Sequence, residues 1–377
     1  MNLPGCRERV PQPATGLGGQ DSGKPEQCTR SARAFIAPRG FSAQAPRSTL
    51  KVFSKVGSNR HQDRPQAWEE AAFDMNLDAL VAPLRADVVS GAAVVARAAA
   101  AALRRGAIHL PANDLPELQR GLEDLGLRVL DAQPAMAPLV ELVERVLKAA
   151  GSAKTLGAAR GAAAAAAESF RGELEARGTR VAQRLAKDLP EGARILTLSS
   201  SSTVRTGLLE AGPRGISVVC LEGRPMNEGH ALARTLAQAG IPVTLAVDAA
   251  GPTLVRDVDL VLIGADSLGD GGIVNKIGSL GLAREAAEQG TPVWVAADRS
   301  KWLPPGFPQP VDDDRPAEEV WRGARGVAVW NRYFETLPAK LVDRVVSDTG
   351  TFTPEELDEA RRALRVTPVL EAWASGA

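Results

Sequence analysis

Cysteine and histidine are scarce in this chain. The three of each, Cys6, Cys28 and Cys220 with His61, His109 and His230, show no C-x-x-C or H-x-x-x-H spacing. Neither a zinc site nor a disulfide framework is indicated, so a reducing cytoplasm is the expected setting, with no metal and no cofactor. Net charge is lacking as well: 45 Lys and Arg balance 45 Asp and Glu. The balance is uneven, since residues 1–66 carry 11 basic against 4 acidic residues, leaving 34 against 41 for the rest. An acidic body is a poor match for a nucleic-acid backbone, so no nucleic-acid partner is expected. No apolar run reaches the roughly 20 residues of a membrane helix, because Arg97, Arg104, Arg105, Arg160 and Arg171 interrupt the alanine-rich stretches. A soluble protein without a membrane partner follows.

Branched apolar residues are few in residues 1–66, where Pro, Gly, Ser, Gln and Arg prevail. Such a composition cannot repay the entropy of ordering, and a disordered basic extension is expected. Its residues 18–24 imitate a phosphate-binding loop, but Pro25 takes the Ser/Thr position and no apolar strand precedes it. The extension has no apolar core of a secretory signal, and Glu8 and the prolines argue against a transit peptide. Met75 stands as an alternative natural start.

What is present is helical periodicity followed by alternation. Apolar residues recur at helical spacing over 77–103, near 115–125 and over 136–149, which predicts a helical domain at 70–152. A linker helix at 153–189 follows. Gly157, Gly161, Gly172 and Gly178 interrupt it, each costing up to about 1 kcal/mol relative to Ala. After Pro190, apolar runs at 194–198, 216–221, 243–247, 260–263 and 293–296 read as strands, separated by helical segments such as 227–239 and 276–289. Crossovers of that length imply parallel strands. The fold class is α/β: an N-terminal helical domain, then a Rossmann-like doubly wound parallel sheet domain at 190–377. A late strand at 327–330 and a helix at 354–364 are expected to close it.

The segment from Val261 to Ser279 concentrates the chemistry. Val261, Leu262 and Ile263 form a buried-strand run, and Gly264, Gly269, Gly271 and Gly272 let the backbone turn sharply. Ligands of open α/β sheets bind beyond the carboxyl ends of strands, which is where Asp266 follows. Asn275 and Lys276, at the start of the next helical segment, complete a candidate phosphate or sugar site. The competing reading makes Asp266 a turn cap and Lys276 a solvated helix residue.

Four motifs in order, Ile195-Leu-Thr, Arg224-Pro, Gly264-Ala-Asp and Asn275-Lys-Ile-Gly, resemble a family of two branches. One holds the isomerases of methylthioribose 1-phosphate and ribose 1,5-bisphosphate. The other holds the alpha, beta and delta subunits of initiation factor 2B. In the isomerase branch the resemblance implies an Asp as acid, matched by Asp266, and a Cys as the base that moves a proton between C1 and C2. Ser199 stands at the Cys position, and Leu198 stands where the family often has His. A Ser hydroxyl without a base beside it is a far poorer base than a thiolate. Ser199 to Ser202 either donate to a phosphate or cap a helix near Thr203; the cap is the preferred reading.

The resemblance also implies a first-domain Arg-Gly-Ala loop and a second Arg on the substrate phosphate. Ser90-Gly91-Ala92 and Gln133-Pro134 occupy those places, so both guanidinium groups are missing. Glu222, Arg224, Asn275, Lys276 and Lys301 match substrate positions, and Glu228 stands where the methylthioribose enzymes tend to have Gln. Cys220, inside an apolar strand, reads as inert.

The leading expectation is a protein that binds a phosphorylated sugar or nucleotide, with isomerase chemistry impaired by loss of the Cys. The alternatives are an active aldose-ketose isomerase of a phosphorylated pentose, with Asp266 and an unidentified base, and a regulatory subunit resembling the exchange-factor subunits. A homodimer or larger homo-oligomer is expected, with residues 337–341 as a candidate contributor.

Overall fold

The computed structural model describes residues 76–87, 90–311, 314–323 and 326–376. The extension read at 1–66, with its loop at 18–24, lies outside them.

Five helices come first: α1 (Leu77–Ala86), α2 (Ala92–His109), α3 (Leu115–Ala132), α4 (Pro138–Gly151) and α5 (Leu156–Asp188). Their starts are set locally. The side chains of Asn76, Asp114 and Thr155 accept from the backbone N–H groups of Asp78, Glu117 and Ala158, each cap contributing about 1 kcal/mol. The single helical run expected over 77–103 divides into α1 and α2. Gln133, at the end of α3, holds the end of α1: its Nε2 donates to the carbonyls of Leu84 at 2.6 Å and Asp87 at 2.8 Å.

Along α5, the buried residues Ala159, Ala163, Ala167, Phe170, Leu174, Arg177, Val181 and Leu185 form one stripe at helical spacing. The first half packs into the helical core and the second, from Val181, into the core beneath the sheet. The four glycines face open space, where a Cβ would meet nothing within 4 Å, so packing does not require them.

One charged group interrupts the stripe. Arg177 is 1% exposed and grips Glu141 with two hydrogen bonds of 2.7 and 2.8 Å, with a third to Glu173 at 3.0 Å. Its Nε lies 3.9 Å from the buried Asp348 of the sheet domain. Burial alone raises the Glu141 carboxyl, but Arg177, Arg145 and Arg299 outweigh it and hold it below its ordinary value. Hydrogen bonding from Arg145 brings Glu173 down to about 2, against burial and with help from Arg177.

The second half is a sheet with helices on both faces. Its elements are β1 (Arg194–Leu198), α6 (Ser202–Ala211), β2 (Ser217–Leu221), α7 (Glu228–Gln238), β3 (Val243–Ala246), α8 (Gly251–Val255), β4 (Leu260–Ile263), β5 (Ser267–Gly269), β6 (Gly272–Lys276), α9 (Ser279–Gln289), β7 (Val293–Ala296), β8 (Phe334–Leu337), β9 (Arg344–Val346), β10 (Thr351–Phe352), α10 (Pro354–Arg362) and α11 (Pro368–Ser375). Seven strands are ordered β10-β9-β7-β4-β1-β2-β3, parallel except for the β9/β10 pair. The chain therefore leaves β1 toward β2 and β3, then returns to place β4 on the other side. The switch point lies beyond the ends of β1 and β4, where such sheets bind ligands.

Two sequence expectations fail here. Residues 267–276 form no loop and helix start but a hairpin, whose strands β5 and β6 join β8 in a second, antiparallel sheet. No strand forms at 327–330, where Val327 and Trp330 are exposed; the strand comes later, as β8. In the 337–341 segment Leu337 is fully buried within its own chain and Leu341 packs on the same core, while Pro338 and Ala339 are partly exposed and Lys340 is exposed. The last helix returns to the first half, burying Leu370 in the helical core. No described helix is long and apolar enough to cross a membrane.

Candidate active site

At the switch point, a cavity of about 400 Å³ opens between the two halves. Ten of the twelve expected site residues line it: Ser90, Gly91, Ala92, Gln133, Ser199, Glu228, Asp266, Asn275, Lys276 and Lys301. Glu222 and Arg224 are not among the lining residues. Glu222 faces His230 at 3.9 Å, and the Arg224 guanidinium donates to the Val320 carbonyl at 3.2 Å.

β4 delivers Asp266 two residues beyond Gly264, where a Cβ would lie 2.6 Å from that of Ser201. A side chain at 264 would thus push the β4 end away from the first turn of α6. The Asp266 carboxyl has no hydrogen-bond partner among the described residues. Burial pushes it above its ordinary value, against the opposing pull of the Lys301 and Lys276 ammonium groups. A carboxyl so placed keeps its proton further up the pH scale, as a general acid requires.

The flanking cations are fixed by structure. Lys276 lies on β6, buried, donating to Glu228 Oε1 at 2.9 Å with its ammonium 4.9 Å from the Tyr333 ring centre. Lys301 follows β7 in a one-turn helix and donates to the Ala265 carbonyl. That turn is held by Asp298, which accepts from Ser300 N–H, and by Asp348, which accepts from Arg299 N–H at 2.8 Å. Asn275 donates to Ser279 Oγ at 2.9 Å.

Asn275 and Lys276 end the strand β6 and do not open a helix, contrary to the sequence expectation. α9 begins at Ser279, and Glu335 already accepts from the N–H groups of Gly278 and Leu280, at 2.7 and 2.8 Å. That helix end is occupied by its own carboxylate. The N-terminus of α2 is different: Gly91 provides no side-chain cap, and Gly91, Ala92 and Ala93 line the cavity. In α6 the cap is Ser201, whose Oγ accepts from Val204 N–H at 3.4 Å.

Positions 90 and 133 carry no guanidinium, yet the cavity has three. Arg97 from α2, Arg205 from α6 and Arg315 from the β7–β8 connection all line it. Arg97 had registered only as a break in an alanine run. Arg205 could have been foreseen, one helical turn beyond Ser201. Arg315 and Tyr333 carry no such signal; they meet ring to guanidinium at 5.0 Å across the connection. Cys220, the one cysteine among the described residues, is buried in β2, and burial pushes its thiol up to about 12. It cannot supply a thiolate here. No group of three or more His, Cys, Asp or Glu among the described residues could hold a metal ion.

Residues 88–354 match the model of the Initiation factor 2 subunit family. Ribose 1,5-bisphosphate isomerase of Haloferax volcanii is 34% identical over 302 residues, spanning 76% of this chain and 91% of that protein. Methylthioribose-1-phosphate isomerase of Gemmatimonas aurantiaca is 30% identical over 297 residues, spanning 74% and 86%. Among solved structures, the translation initiation factor eIF-2B of Pyrococcus horikoshii OT3 aligns with a TM-score of 0.64 at 26% identity, covering 75% of this chain and 98% of that one.

Proposed function

Because this chain belongs to the Initiation factor 2 subunit family, we propose that its cavity isomerises a phosphorylated pentose from aldose to ketose. The observation that carries this reading is Asp266: an unpaired carboxyl, raised by burial, between two lysines at the sheet's switch point. Opening a sugar ring requires a proton on the departing ring oxygen, and such a carboxyl is suited to give it. The two relatives named as sugar-phosphate isomerases support the same chemistry.

Phosphate recognition has its own support. The uncapped first turn of α2 offers backbone N–H groups to an anion. Arg97 and Arg205 make no hydrogen bond or ion pair through their guanidinium groups among the described residues. They are available in place of the two guanidinium groups absent from 90 and 133, so the missing arginines do not leave the cavity without phosphate ligands. The pair Asn275 and Lys276, with Lys301, faces the sugar.

Formation of ketose from ribose 1,5-bisphosphate or methylthioribose 1-phosphate, followed by NMR, tests the reading. Turnover of at least one is expected, and its absence with both removes it. Arg97→Ala and Arg205→Ala are each expected to raise KM on the order of 10-fold, with a smaller effect on kcat, since hydrogen bonds to charged groups contribute about 1.5–3 kcal/mol. An unchanged KM in both variants would exclude them as phosphate ligands.

A further inference from the structure

An isomerase of this kind needs a base as well as an acid, and Ser199 is poorly suited to be one. It follows β1 in the left-handed region, with φ of 65°. Directly opposite stands Gly223, and the space beside it identifies the neighbour. A Cβ built on Gly223 would lie 2.9 Å from Ser199 Cα, 3.2 Å from Ser199 Cβ and 3.0 Å from Glu228 Oε2. The Glu228 carboxylate and Ser199 thus border the same small space, which only a glycine leaves open.

The two oxygens of Glu228 are unequal. Oε1 accepts from Lys276 Nζ at 2.9 Å, whereas Oε2 is shielded from solvent and has no hydrogen-bond partner. An unsatisfied carboxylate oxygen walled off from solvent is costly to maintain; its lone pairs are uncommitted, and the carboxylate that carries it belongs to a residue lining the cavity. Glu228 lines the cavity together with Asp266. Neither cysteine nor histidine occurs among the lining residues, and the Lys276 and Lys301 ammonium groups already donate to other atoms.

We infer that the Glu228 carboxylate is the catalytic base of this site and does the work that the resemblance assigned to a thiolate at 199. The inference rests on the isomerase reading. In the first step the Glu228 carboxylate takes the proton from C2 of the sugar 1-phosphate. The C2–H electron pair forms the C1=C2 bond, the bond from C1 to the ring oxygen breaks, and that oxygen takes the proton of Asp266. In the second step the enol hydroxyl on C2 returns a proton to Asp266 as C2=O forms, and C1 takes the proton held by Glu228. Both side chains end as they began, and no oxidant or co-reactant is needed. The exchange at 199 and the carboxylate at 228 become one change: the base has moved from the end of β1 to the first residue of α7.

The test uses the full chain with ribose 1,5-bisphosphate and methylthioribose 1-phosphate, measuring kcat and KM. Glu228→Gln is expected to lower kcat on the order of 10² to 10⁴-fold with KM little changed. Adding Ser199→Cys to Glu228→Gln, which installs a thiol opposite a neutral amide, is expected to recover at least about 10-fold of that loss, because a thiolate is the nucleophilic and basic form of cysteine. Should the glutamine variant fail to fold, Glu228→Asp keeps the charge but withdraws it by one methylene, and it too is expected to lower kcat. Turnover by the wild type together with an unchanged kcat in a folded Glu228 variant overturns the assignment and leaves the isomerase reading standing. A loss confined to KM overturns it as well, reducing Glu228 to a partner of Lys276. A wild type that turns over neither substrate removes the isomerase reading itself.

Discussion

Asp266→Asn is expected to lower kcat on the order of 10² to 10⁴-fold while leaving the melting temperature level or slightly higher. The two halves of this outcome share one cause. Burial raises the Asp266 carboxyl above 3.8 more strongly than Lys301 and Lys276 lower it. Between 3.8 and its raised value the folded chain holds a proton that the unfolded chain has released, so this residue costs stability as pH rises through that window. An amide of the same shape removes the cost and also removes the proton that the ring oxygen needs. Kinetics and a thermal melt at neutral pH check both together. Wild-type turnover in this variant excludes Asp266 as the acid, and a large fall in melting temperature makes it a packing residue.

Arg177→Met is expected to destabilise the protein by up to about 3–5 kcal/mol, the range for removing one partner of a buried ion pair. Glu141 would lose the two hydrogen bonds from Arg177 and keep Arg145, and the nearly inaccessible Asp348 would be left with the half-exposed Arg180 as its charged partner. Adding Glu141→Gln should recover part of the loss, and a double-mutant cycle in urea measures how much. The same network predicts acid sensitivity. Glu141 and Glu173 are depressed from 4.5, Glu173 to about 2. Their contribution is therefore complete above about 4.5 and is lost as pH falls toward 2. Arg177→Met should flatten that part of the stability profile; an unchanged acid slope would exclude the network as its source. Asp348 also holds the Arg299 N–H beside Lys301, so the variant is expected to lose activity as well.

Much of the sheet was legible because fully buried parallel strands appear as short apolar runs. Runs at 194–198, 260–263 and 293–296 correspond to β1, β4 and β7 residue for residue. The second sheet was not legible, because β6 pairs with β8, some sixty residues away, with Asn275 opposite Glu335 and Lys276 opposite Phe334; no local period announces such a partner. Val327 and Trp330 misled for the opposite reason: they have the composition of a strand but no neighbour to pair with.

The cavity was partly legible, since Asp266, Asn275, Lys276 and Lys301 follow strands or motifs whose order places them at one end of the sheet. Arginines at 97, 205 and 315 could not be inferred from positions 90 and 133. Phosphate ligands can change helix, because the charge has only to reach the cavity. Glu222 and Arg224 show the converse: they lie close to Glu228 in sequence, yet the turn at Pro225 and the clamp of Asp248 on the N–H groups of Gly223 and Arg224 direct the chain elsewhere.

The cavity draws its lining from both halves of the fold, but not evenly. Asp266 and Glu228, the groups assigned to proton movement, both stand on the sheet half. Arg97 and the open first turn of α2 belong to the helical half. Ligand recognition is thereby shared by the two scaffolds, which are joined along α5, with Arg205, Asn275, Lys276 and Lys301 on the sheet half, whereas proton movement is assigned to the sheet half alone. Changes on the exposed edge of α2 can retune which phosphate-bearing sugar is retained while leaving the acid and base in register. A protein built this way can acquire a new substrate by altering one wall, with its proton chemistry inherited intact from the other.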